Sequence, residues 1–468
     1  MNNILKRAYD ALPAPLQSMI LGGYSALLNR ERYGGRFQEY CALMEKRQWL
    51  SRDDLISCQD EEVRRLVSHS YETVPYYRKL FDDRGLKPAD IRGCGDLVKL
   101  PVLTREDIKK NFKALVSSAV ASRNLRGGHT SGTTGSPLEV LYDPAAVTMT
   151  YAALDRQYKW AGCRLGRDGD RVVVARGNVI VPLAQARPPF WRTNRSLNQL
   201  LLSSFHMSSR NLAEYFRAIG DFAPAVLDGY PSTLYILAKY LRNQGIRFPL
   251  KAVISSSETL YDFQRSTIEE SFQCKVFDYF ALAERVVFAT ECDRHEGHHL
   301  CMEYGVTEIL DENDDPLPDG RSGKLVGTSL VNFGMPLIRY QTNDHTALRS
   351  GPCSCGRGLV MMDDVTTKAE DILTLKDGRV ISPSVLTHPF KPLTSIEESQ
   401  IVQEEMDRII VKIVPGRTFS ESDRKHLVQE LRERLGEGVR IDIEIVESCP
   451  RLPSGKFKWV VSKVPLGV

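Results

Sequence analysis

The spacing of apolar positions along the chain changes twice, and each change predicts a different kind of structure. Residues 1 to about 110 carry apolar side chains at helical spacing, as in VRRLVSHSYETVPYYRKLFDDRG (63–85), where Gly85 marks a helix end. From about residue 170 short β-branched runs alternate with amphipathic stretches. Such alternation is typical of a parallel sheet layered with helices.

The second part of the chain contains four buried strands with helices between them. The predicted strands are RVVVAR (171–176), AVLDGY (225–230), KAVISSS (251–257) and CKVFDYF (274–280). The predicted helices are NLAEYFRAIGDF (211–222), STLYILAKYLRNQG (232–245) and YDFQRSTIEESF (261–272). Residues 303–350 are predicted to form a turn-rich hairpin, because Pro316, Pro318 and Gly320 are turn-forming residues.

Past residue 371 the pattern restarts as a small α+β unit of about 100 residues. Its predicted elements are a strand–turn–strand unit with the turn at Asp377-Gly378, a strand (408–416), a helix N-capped by Ser420 or Ser422, and a strand (440–448). We therefore predict an α/β protein with a large layered N-terminal domain, made of a helical part (1–110) and a nucleotide- and acid-binding part (111–370). A small C-terminal domain (371–468) follows.

Composition excludes several classes of protein. The chain of 468 residues is long enough for two or three domains, and its 42% hydrophobic and 26% charged residues are typical of a soluble globular protein. A net charge of +3 with both signs interspersed gives no reason to expect nucleic acid as the main partner. No segment reaches the roughly 18 apolar residues of a membrane span, and Asp10, Pro13 and Pro15 interrupt the N-terminal apolar run. We expect a cytoplasmic protein.

The segment GGHTSGTTGSPLEV (127–140) is the strongest chemical signal. Five hydroxyl side chains and four glycines occupy nine of the ten positions from Gly127 to Ser136, and His129 is the tenth. Glycines let the backbone approach a ligand closely, and hydroxyls beside free amides suit a polyphosphate. The Gly-Lys-Ser/Thr ending of a Walker loop is missing. The alternative is a plain surface turn.

A second cluster combines thiols with an imidazole. Cys292 lies a few residues before three histidines at 295, 298 and 299, and Cys353 and Cys355 form a C-x-C pair. Three thiolates and one imidazole suit tetrahedral zinc, and a site filled entirely by protein ligands would be structural. The alternative is a polar turn with free thiols.

Several motifs, in order along the whole chain, resemble those of adenylate-forming enzymes, and more narrowly the phenylacetate–CoA ligase branch with its CapK-like members. The motifs are SGTTGSP (131–137), GYPSTL (229–234), DYFALAER (278–285), PLIRYQTNDHTAL (336–348) and RLPSGKFK (451–458). The resemblance implies a large N-terminal domain with a small mobile C-terminal lid. It also implies ATP-dependent activation of a carboxylic acid as its acyl-adenylate.

The resemblance assigns roles to individual residues. It implies that Glu284 coordinates magnesium, that Asp344 holds the ribose hydroxyls, and that Lys456 reaches the carboxylate and α-phosphate. The implied nucleotide-binding residues are Ser131, Gly132, Thr133, Thr134, Gly135, Glu258, Asp278, Tyr279 and Asp344. The implied hinge is Lys368, Glu370 and Asp371, and the candidate acyl pocket is Phe205, Tyr230, Ser232 and Phe280. For zinc, the relatives' pattern favours Cys292, His299, Cys353 and Cys355, with His298 as the alternative to His299.

The chain also departs from the family pattern. Ser136 follows the loop where the family often has lysine, and Phe280, Ala281 and Ala283 replace the usual tyrosine, glycine and hydroxyl residue. The missing hydroxyl removes one expected phosphate or magnesium contact. A non-enzymatic module is therefore an alternative, although Glu284 is retained, as are the predicted ribose and lid residues.

The predicted function is an ATP-dependent carboxylic acid ligase that forms an acyl-adenylate, releases pyrophosphate and passes the acyl group to CoA. A carboxylate is already ionised at neutral pH, so no general base is required. The expected cofactors are ATP, Mg²⁺, structural Zn²⁺ and, for the second step, CoA. Rival functions are an amide- or ester-forming ligase that uses an amine or hydroxyl without CoA, and an adenylyltransferase. The sequence does not identify the acid, and a homodimer remains open.

Overall fold

The computed structural model describes residues 8–130, 138–208, 210–365, 373–381, 383–390, 392–393, 395–450 and 458–464. Its α-helices are α1 (Ala14–Arg32), α2 (Phe37–Arg47), α3 (Arg52–Thr73), α4 (Pro75–Asp83), α5 (Arg105–Asn111), α6 (Pro144–Trp160), α7 (Leu212–Phe222), α8 (Pro231–Asn243), α9 (Asp262–Phe272), α10 (Pro383–Leu386) and α11 (Glu421–Leu435). Among the described residues, no helix is long and apolar enough to cross a membrane.

The strands follow in chain order. They are β1 (Arg126–His129), β2 (Glu139–Tyr142), β3 (Val172–Ala175), β4 (Trp191–Asn194), β5 (Gln199–Leu202), β6 (Val226–Gly229), β7 (Ala252–Ser256), β8 (Lys275–Ala281), β9 (Phe288–Glu291), β10 (His298–Leu300), β11 (Gly305–Leu310), β12 (Gly323–Ser329), β13 (Tyr340–Thr346), β14 (Met361–Met362), β15 (Leu373–Thr374), β16 (Val380–Ile381), β17 (Ile396–Glu405), β18 (Arg408–Pro415), β19 (Arg440–Ile445) and β20 (Val460–Ser462).

A nine-stranded sheet forms the centre of the large domain, in the order β14-β10-β9-β8-β7-β6-β3-β5-β4. Its middle strands β5, β3, β6, β7 and β8 are parallel, and the strands toward both edges are antiparallel. The four strands predicted from sequence are β3, β6, β7 and β8, and the three predicted helices are α7, α8 and α9. The predicted α/β class with its parallel sheet is therefore confirmed.

The residue types of the central strands explain why they lie in the core. Every residue of β6 and β7 is buried, as expected for parallel strands that are covered by helices on both faces. Gly229 ends β6, and a side chain there would place its Cβ 2.8 Å from the Ala175 carbonyl oxygen. Only glycine leaves room for this close approach between β6 and β3.

The N-terminal helices pack on one end of this sheet, where α1 contacts β4 and α2 contacts α6. The helical stretch predicted at 63–85 is interrupted, because α3 ends at Thr73 and α4 begins at Pro75. Val74 between them is extended, with φ −114° and ψ 109°. Proline disfavours the helical conformation for the residue before it, which explains the break.

The hairpin region and the C-terminal region form two further sheets. The predicted hairpin at 303–350 is the antiparallel sheet β11-β12-β13. The C-terminal sheet has the order β19-β18-β17-β20, and Ser420 caps α11 by accepting a hydrogen bond from the Asp423 amide. The predicted turn lies between β15 and β16, where Gly378 has φ +81°. The long central strand β17 and the short strand β20 were not predicted.

Candidate functional site

The base of the predicted phosphate loop is well defined. Residues 131–137, which include the five predicted loop residues, lie outside the described part, but the antiparallel strands β1 and β2 flank them. Thr130 and Leu138 close the hairpin, because the Leu138 amide donates to Thr130 Oγ1 over 3.0 Å and the Thr130 amide donates to the Leu138 carbonyl over 3.0 Å. Arg105 Nη2 donates to the same Thr130 hydroxyl over 3.1 Å. A guanidinium therefore lies at the foot of the loop.

Glu284 lies near this guanidinium. Its side chain is buried, and Tyr340 donates to Glu284 Oε1 over 2.9 Å. Burial raises the pKa of Glu284, while the charge of Arg105 lowers it. A buried carboxylate whose donors are neutral, here the Tyr340 hydroxyl and its own backbone amide, has oxygen lone pairs that suit a hard cation such as Mg²⁺. Tyr142 on β2 donates to the Ala283 carbonyl over 2.6 Å, which ties Glu284 to the loop hairpin.

Two further predicted nucleotide-binding residues lie in separate elements. Asp344 is partly buried on β13, four residues after Tyr340, and its amide donates to Thr342 Oγ1 over 3.1 Å. The pairing of β12 with β13 is irregular between Tyr340 and Asp344, because Lys324 pairs with His345 and Val326 pairs with Gln341. Glu258 Oε2 accepts from the Ser232 amide over 3.1 Å at the first turn of α8. A carboxylate is favourable there because the first amides of a helix have no partner within the helix.

Tyr279 belongs to a buried polar group at the carboxyl ends of the parallel strands. Arg176 follows β3 and donates to Asp228 Oδ1 over 2.6 Å and to the Tyr279 hydroxyl over 2.9 Å. Tyr158 donates to the other Asp228 oxygen over 2.8 Å. In open α/β sheets ligands bind outside these strand ends. Neither Arg176 nor Asp228 was singled out in the sequence.

Asp278, the neighbour of Tyr279, has its own partners. Ser255 donates to Asp278 Oδ1 over 2.5 Å, and His298 Nε2 lies 3.2 Å from Asp278 Oδ2. Burial raises the pKa of Asp278 although His298 opposes the shift. Burial alone would lower the pKa of His298. Its hydrogen bonds to Asp278 and Asp364 outweigh burial and raise that pKa to about 10. The result is a buried ion pair.

The four candidate pocket residues do not form one cluster. Tyr230 and Ser232 begin α8 beside Glu258, and no hydrogen-bond partner of the buried Ser232 Oγ is found among the described residues. Phe280 on β8 packs against the core of the large domain. Phe205 is fully buried in the apolar cluster of the C-terminal region, and its carbonyl accepts from Arg379 over 3.3 Å.

The segment that carries Lys456 is held at both ends by one side chain. Residues 451–457 lie outside the described part, as do the predicted hinge residues Lys368, Glu370 and Asp371. Gln400 on β17 donates to the carbonyls of Pro450 and Lys458, over 3.1 Å and 2.8 Å. The lysine segment is therefore anchored on the central strand of the C-terminal sheet.

The predicted zinc ligands converge at the edge of the nine-stranded sheet. The ligand atoms of Cys292, His299, Cys353 and Cys355 all lie within 4.8 Å of one another. Cys292 Sγ lies 3.7 Å from Cys353 Sγ, and Cys355 Sγ lies 3.6 Å from His299 Nε2. Tetrahedral Zn²⁺ at about 2.3 Å from sulfur separates its ligand atoms by similar distances. The donor set therefore fits zinc.

Two of the four ligands have charge states that suit a metal, whereas burial raises the pKa of the Cys292 and Cys353 thiols. Burial, assisted by Arg357 and Arg156, lowers the pKa of His299 to about 4, so its ring is neutral and can bind a metal. Burial alone would raise the pKa of the Cys355 thiol. Hydrogen bonds from Arg357 outweigh burial and leave that pKa below the ordinary value. Glu296 accepts from the amide and hydroxyl of Ser354, which fixes the C-x-C turn.

The structure separates the two neighbouring histidines that the sequence left open. They are consecutive on β10, so their side chains point to opposite faces of the sheet. His299 faces the three cysteines, whereas His298 faces Asp278 and Asp364. Tyr340 and Arg105 were missed by the sequence analysis. The position of Tyr340 inside the motif PLIRYQTNDHTAL (336–348) was a usable signal for the first, and no local pattern marks the second.

Comparison with known proteins places the chain among ligases over its whole length. Protein CapK of Staphylococcus aureus is 25% identical over 470 residues, which covers 98% of this chain and 100% of that protein. Phenylacetate-coenzyme A ligase of Thermus thermophilus is 26% identical over 447 residues, which covers 87% of this chain and 94% of that protein. The Escherichia coli phenylacetate-coenzyme A ligase is also 26% identical, with coverages of 87% and 94%.

Solved structures agree on the fold. The 2-hydroxyisobutyryl-CoA ligase crystallised with 2-HIB-AMP and CoA in the thioesterification state has a TM-score of 0.59 and 20% identity, covering 90% of this chain and 92% of that one. The same ligase in the postadenylation state has a TM-score of 0.56 and 19% identity, with the same coverages. The CapK C-terminal domain model matches residues 373–463. The chain thus has the fold of an adenylate-forming ligase with a CapK C-terminal domain, and it is a homologue of CapK and of the phenylacetate-coenzyme A ligases.

Proposed function

We propose that this protein is an ATP-dependent acid–CoA ligase that forms AMP. It would join a carboxylic acid to AMP with release of pyrophosphate, and then transfer the acyl group to the thiol of CoA. The observation that carries the proposal is the buried Glu284, linked to Tyr340 and lying near Arg105 at the foot of the hydroxyl- and glycine-rich loop. The similarity to CoA ligases over the whole chain supports the same reaction.

In the first step a carboxylate oxygen attacks the α-phosphorus, and the bond from that phosphorus to the bridging oxygen of pyrophosphate breaks. The obstacle is repulsion between an anion and a polyanion. Arg105 and the loop amides reduce this repulsion, and Glu284 holds Mg²⁺, which neutralises phosphate charge when bound. Ser131, Gly132, Thr133, Thr134 and Gly135 form the phosphate loop. No proton needs to be removed, because the acid is already ionised.

The nucleotide's other contacts follow from the same arrangement. Asp344 accepts from the ribose hydroxyls, Glu258 lies on the adenine side, and Asp278 and Tyr279 support that side. Tyr230 and Ser232 line the acyl pocket beside them, whereas Phe205 and Phe280 pack in separate apolar clusters and are not assigned to this pocket. Ser232 Oγ is buried without a partner among the described residues, and an unpaired buried hydroxyl is unfavourable. An acid that carries a hydrogen-bonding substituent is therefore preferred over a plain hydrocarbon acid.

The C-terminal domain (371–468) acts as a lid. Lys456 brings an ammonium group to the reacting carboxylate and α-phosphate during adenylation, and Lys368, Glu370 and Asp371 form the hinge that later withdraws it. In the second step the CoA sulfur attacks the acyl carbonyl, AMP leaves, and the thiol proton passes to solvent. A lysine on a separate domain suits two successive reactions in one site, because it can be removed between them.

The Cys/His cluster holds structural zinc. Four protein ligands leave no open position for a substrate or water, and the cluster lies at the sheet edge, next to β14. The metal would join the turn at Cys353 and Cys355 to strands β9 and β10. Its contribution is therefore to stability and not to chemistry.

The experiment is a screen of carboxylic acids for ATP–pyrophosphate exchange, pairing each hydrocarbon acid with a hydroxylated analogue. Each active acid is then incubated with ATP and Mg²⁺ in three conditions, which are no acceptor, CoA, and amino acids. The masses of the products are measured by mass spectrometry. We expect a CoA thioester and AMP. An amide formed without CoA would replace the CoA step, and an acceptor that retains AMP would indicate nucleotidyl transfer. Folded protein that does not bind ATP with Mg²⁺ would refute adenylation.

A further inference from the structure

Helix α1 has its polar face toward the protein and its apolar face toward solvent, which is the opposite of a normal surface helix. Its polar side chains face the protein, and four of them bond to the edge strand β4 and the turn after it. Gln17 accepts from Arg192 over 2.7 Å, and Ser18 accepts from the Thr193 amide over 3.2 Å. The remaining two bonds join Ser25 to Asn194 and Asn29 to Ser196. The helix is therefore attached to the molecule by hydrogen bonds.

The outer face of α1 is apolar. Its large exposed side chains follow helical spacing and are Leu16, Met19, Ile20, Tyr24 and Leu27, with exposures of 43, 67, 45, 61 and 63%. They are five of the twelve exposed large hydrophobic side chains in the described part of the chain. Gly23 and Ala26 complete the same face. A contiguous exposed apolar patch of this kind marks an interaction site.

Charge is distributed to match one kind of partner. Residues 11–29 contain no Asp, Glu, Lys, Arg or His, although 26% of the whole chain is charged. The exposed cationic residue Arg30 follows this stretch. Lys6 and Arg7 precede it in the sequence together with one acidic residue, Asp10, which leaves a net charge of +1 on that side. Of the nearby acidic groups, Glu31 is neutralised by Arg126 at 2.9 Å. An apolar face with cationic ends is the pattern of a helix that lies in the interface of an anionic lipid surface.

A second copy of the chain fits these observations less well. A standard protein interface buries about 800 Å² on each partner and has a rim of polar and charged groups. One helix face with five large side chains falls short of that area, and residues 11–29 supply no charged rim. A lipid surface needs neither a complementary shape nor a charged rim.

We propose that α1 is a membrane-surface anchor that binds anionic phospholipid through Leu16, Met19, Ile20, Tyr24 and Leu27. The helix lies parallel to the membrane, with its outer face among the headgroups and upper acyl chains. The body of the protein stays in water, joined through β4. This property does not depend on the ligase reaction, so it stands or falls separately from it.

The test uses the full chain and vesicles of phosphatidylglycerol and phosphatidylethanolamine, with phosphatidylcholine vesicles for comparison. Wild-type protein should sediment with the anionic vesicles. The triple variant Met19→Ser, Tyr24→Ser, Leu27→Ser should lose at least about 10-fold in binding, since each buried CH₂ contributes about 0.8 kcal/mol. The matched control, Val98→Ser with Ile246→Ser and Ile445→Ser, changes equally exposed side chains elsewhere and should bind as wild type.

A second measurement does not depend on the folding of the triple variant. Tyr24→Trp should show a blue-shifted tryptophan emission on addition of anionic vesicles, because the indole enters a less polar environment. Absence of both sedimentation and blue shift overturns the proposal. Equal binding by the triple variant overturns it as well. A dimer that dissociates in the triple variant, without vesicle binding, would assign the face to a second copy instead.

Discussion

Two carboxylates near the end of β8, only six positions apart, have opposite surroundings. Asp278 receives Ser255 and the charged His298, so its negative charge is fully paired within the protein. Glu284 is also buried, and its donors are neutral, the Tyr340 hydroxyl and its own backbone amide, with the charge of Arg105 nearby. Burial raises the pKa of both groups. Because no cation among its described donors bonds to it, Glu284 is better suited to an external cation than Asp278, which is bonded to His298.

The two carboxylates therefore mark two ends of the site. We call the end at Asp278 the structural end and the end at Glu284 the chemical end. Asp278 connects through His298 on β10 toward the cysteine cluster, where His299 is the next residue. Glu284 connects through Tyr340 and Arg105 toward the phosphate loop. Residues at the first end should affect stability when they are changed. Residues at the second end should affect the rate.

The largest effect is expected at Lys456, the proposed lid cation for the chemical end. Lys456→Ala should lower acid-dependent pyrophosphate release by about 100-fold or more, the scale of losing one positioned charge donor. ATP affinity should stay within a few-fold, measured by calorimetry. Lys463→Ala, which removes a lysine paired with Glu404 on the same domain, is the control and should release pyrophosphate normally. Wild-type rates in Lys456→Ala would remove the lid assignment.

Next in size is Glu284→Gln, which keeps the shape and the acceptor for Tyr340 but removes the charge. We expect pyrophosphate release to fall by about 10- to 100-fold and to require more Mg²⁺. A carboxyl whose pKa is raised by folding loses stability as the pH rises through that pKa. The neutral amide should therefore melt at the same temperature as wild type or higher at pH 7. A large fall in melting temperature would instead make Glu284 a structural residue.

A moderate effect is expected at the cysteine cluster. Purified protein should contain about one zinc per chain. The double variant Cys353→Ser, Cys355→Ser should lose this zinc, and its melting temperature should be several degrees lower. Its rate at low temperature should stay within a few-fold, because the cluster belongs to the structural end. The control Cys58→Ser with Cys274→Ser changes two thiols outside the cluster. Metal analysis that finds no zinc in protein purified without chelator would contradict this prediction.

The smallest effect on rate is expected for Asp278→Asn. Its loss of charge leaves His298 without its main anionic partner, which should cost about 1–3 kcal/mol of unfolding free energy in urea titrations. Pyrophosphate release at saturating ATP should change less than in Glu284→Gln. If the rate fell and the stability did not, Asp278 would act on the nucleotide directly, and the contrast between the two carboxylates would disappear.

The sequence was sufficient to predict a strand or a helix cap where the local residue pattern agrees with burial in the structure. The strands at 172–175 and 252–256 contain the β-branched runs VVV and VI, and Ser420 has its capping partner three residues later. It was insufficient for β17, because buried Ser399 and Gln403 look like surface residues. Trp459 and the Thr374 backbone satisfy them, and no local pattern reveals such distant partners.

The site divides in the same way. Ordered motifs were enough to select Glu284, whose burial the structure shows, and Cys292 with its three partners, which the structure brings together. Arg105 could not be selected, because its role depends on a contact with Thr130 that is formed 25 residues further along the chain. The choice between His298 and His299 required the strand register, which a run of two histidines does not specify.

Gln400 has a mechanical consequence for the whole enzyme. Its amide bonds the residues on either side of positions 451–457, Pro450 and Lys458, to β17. In the proposed lid motion, these two flanking residues must therefore travel with the four-stranded sheet as one body.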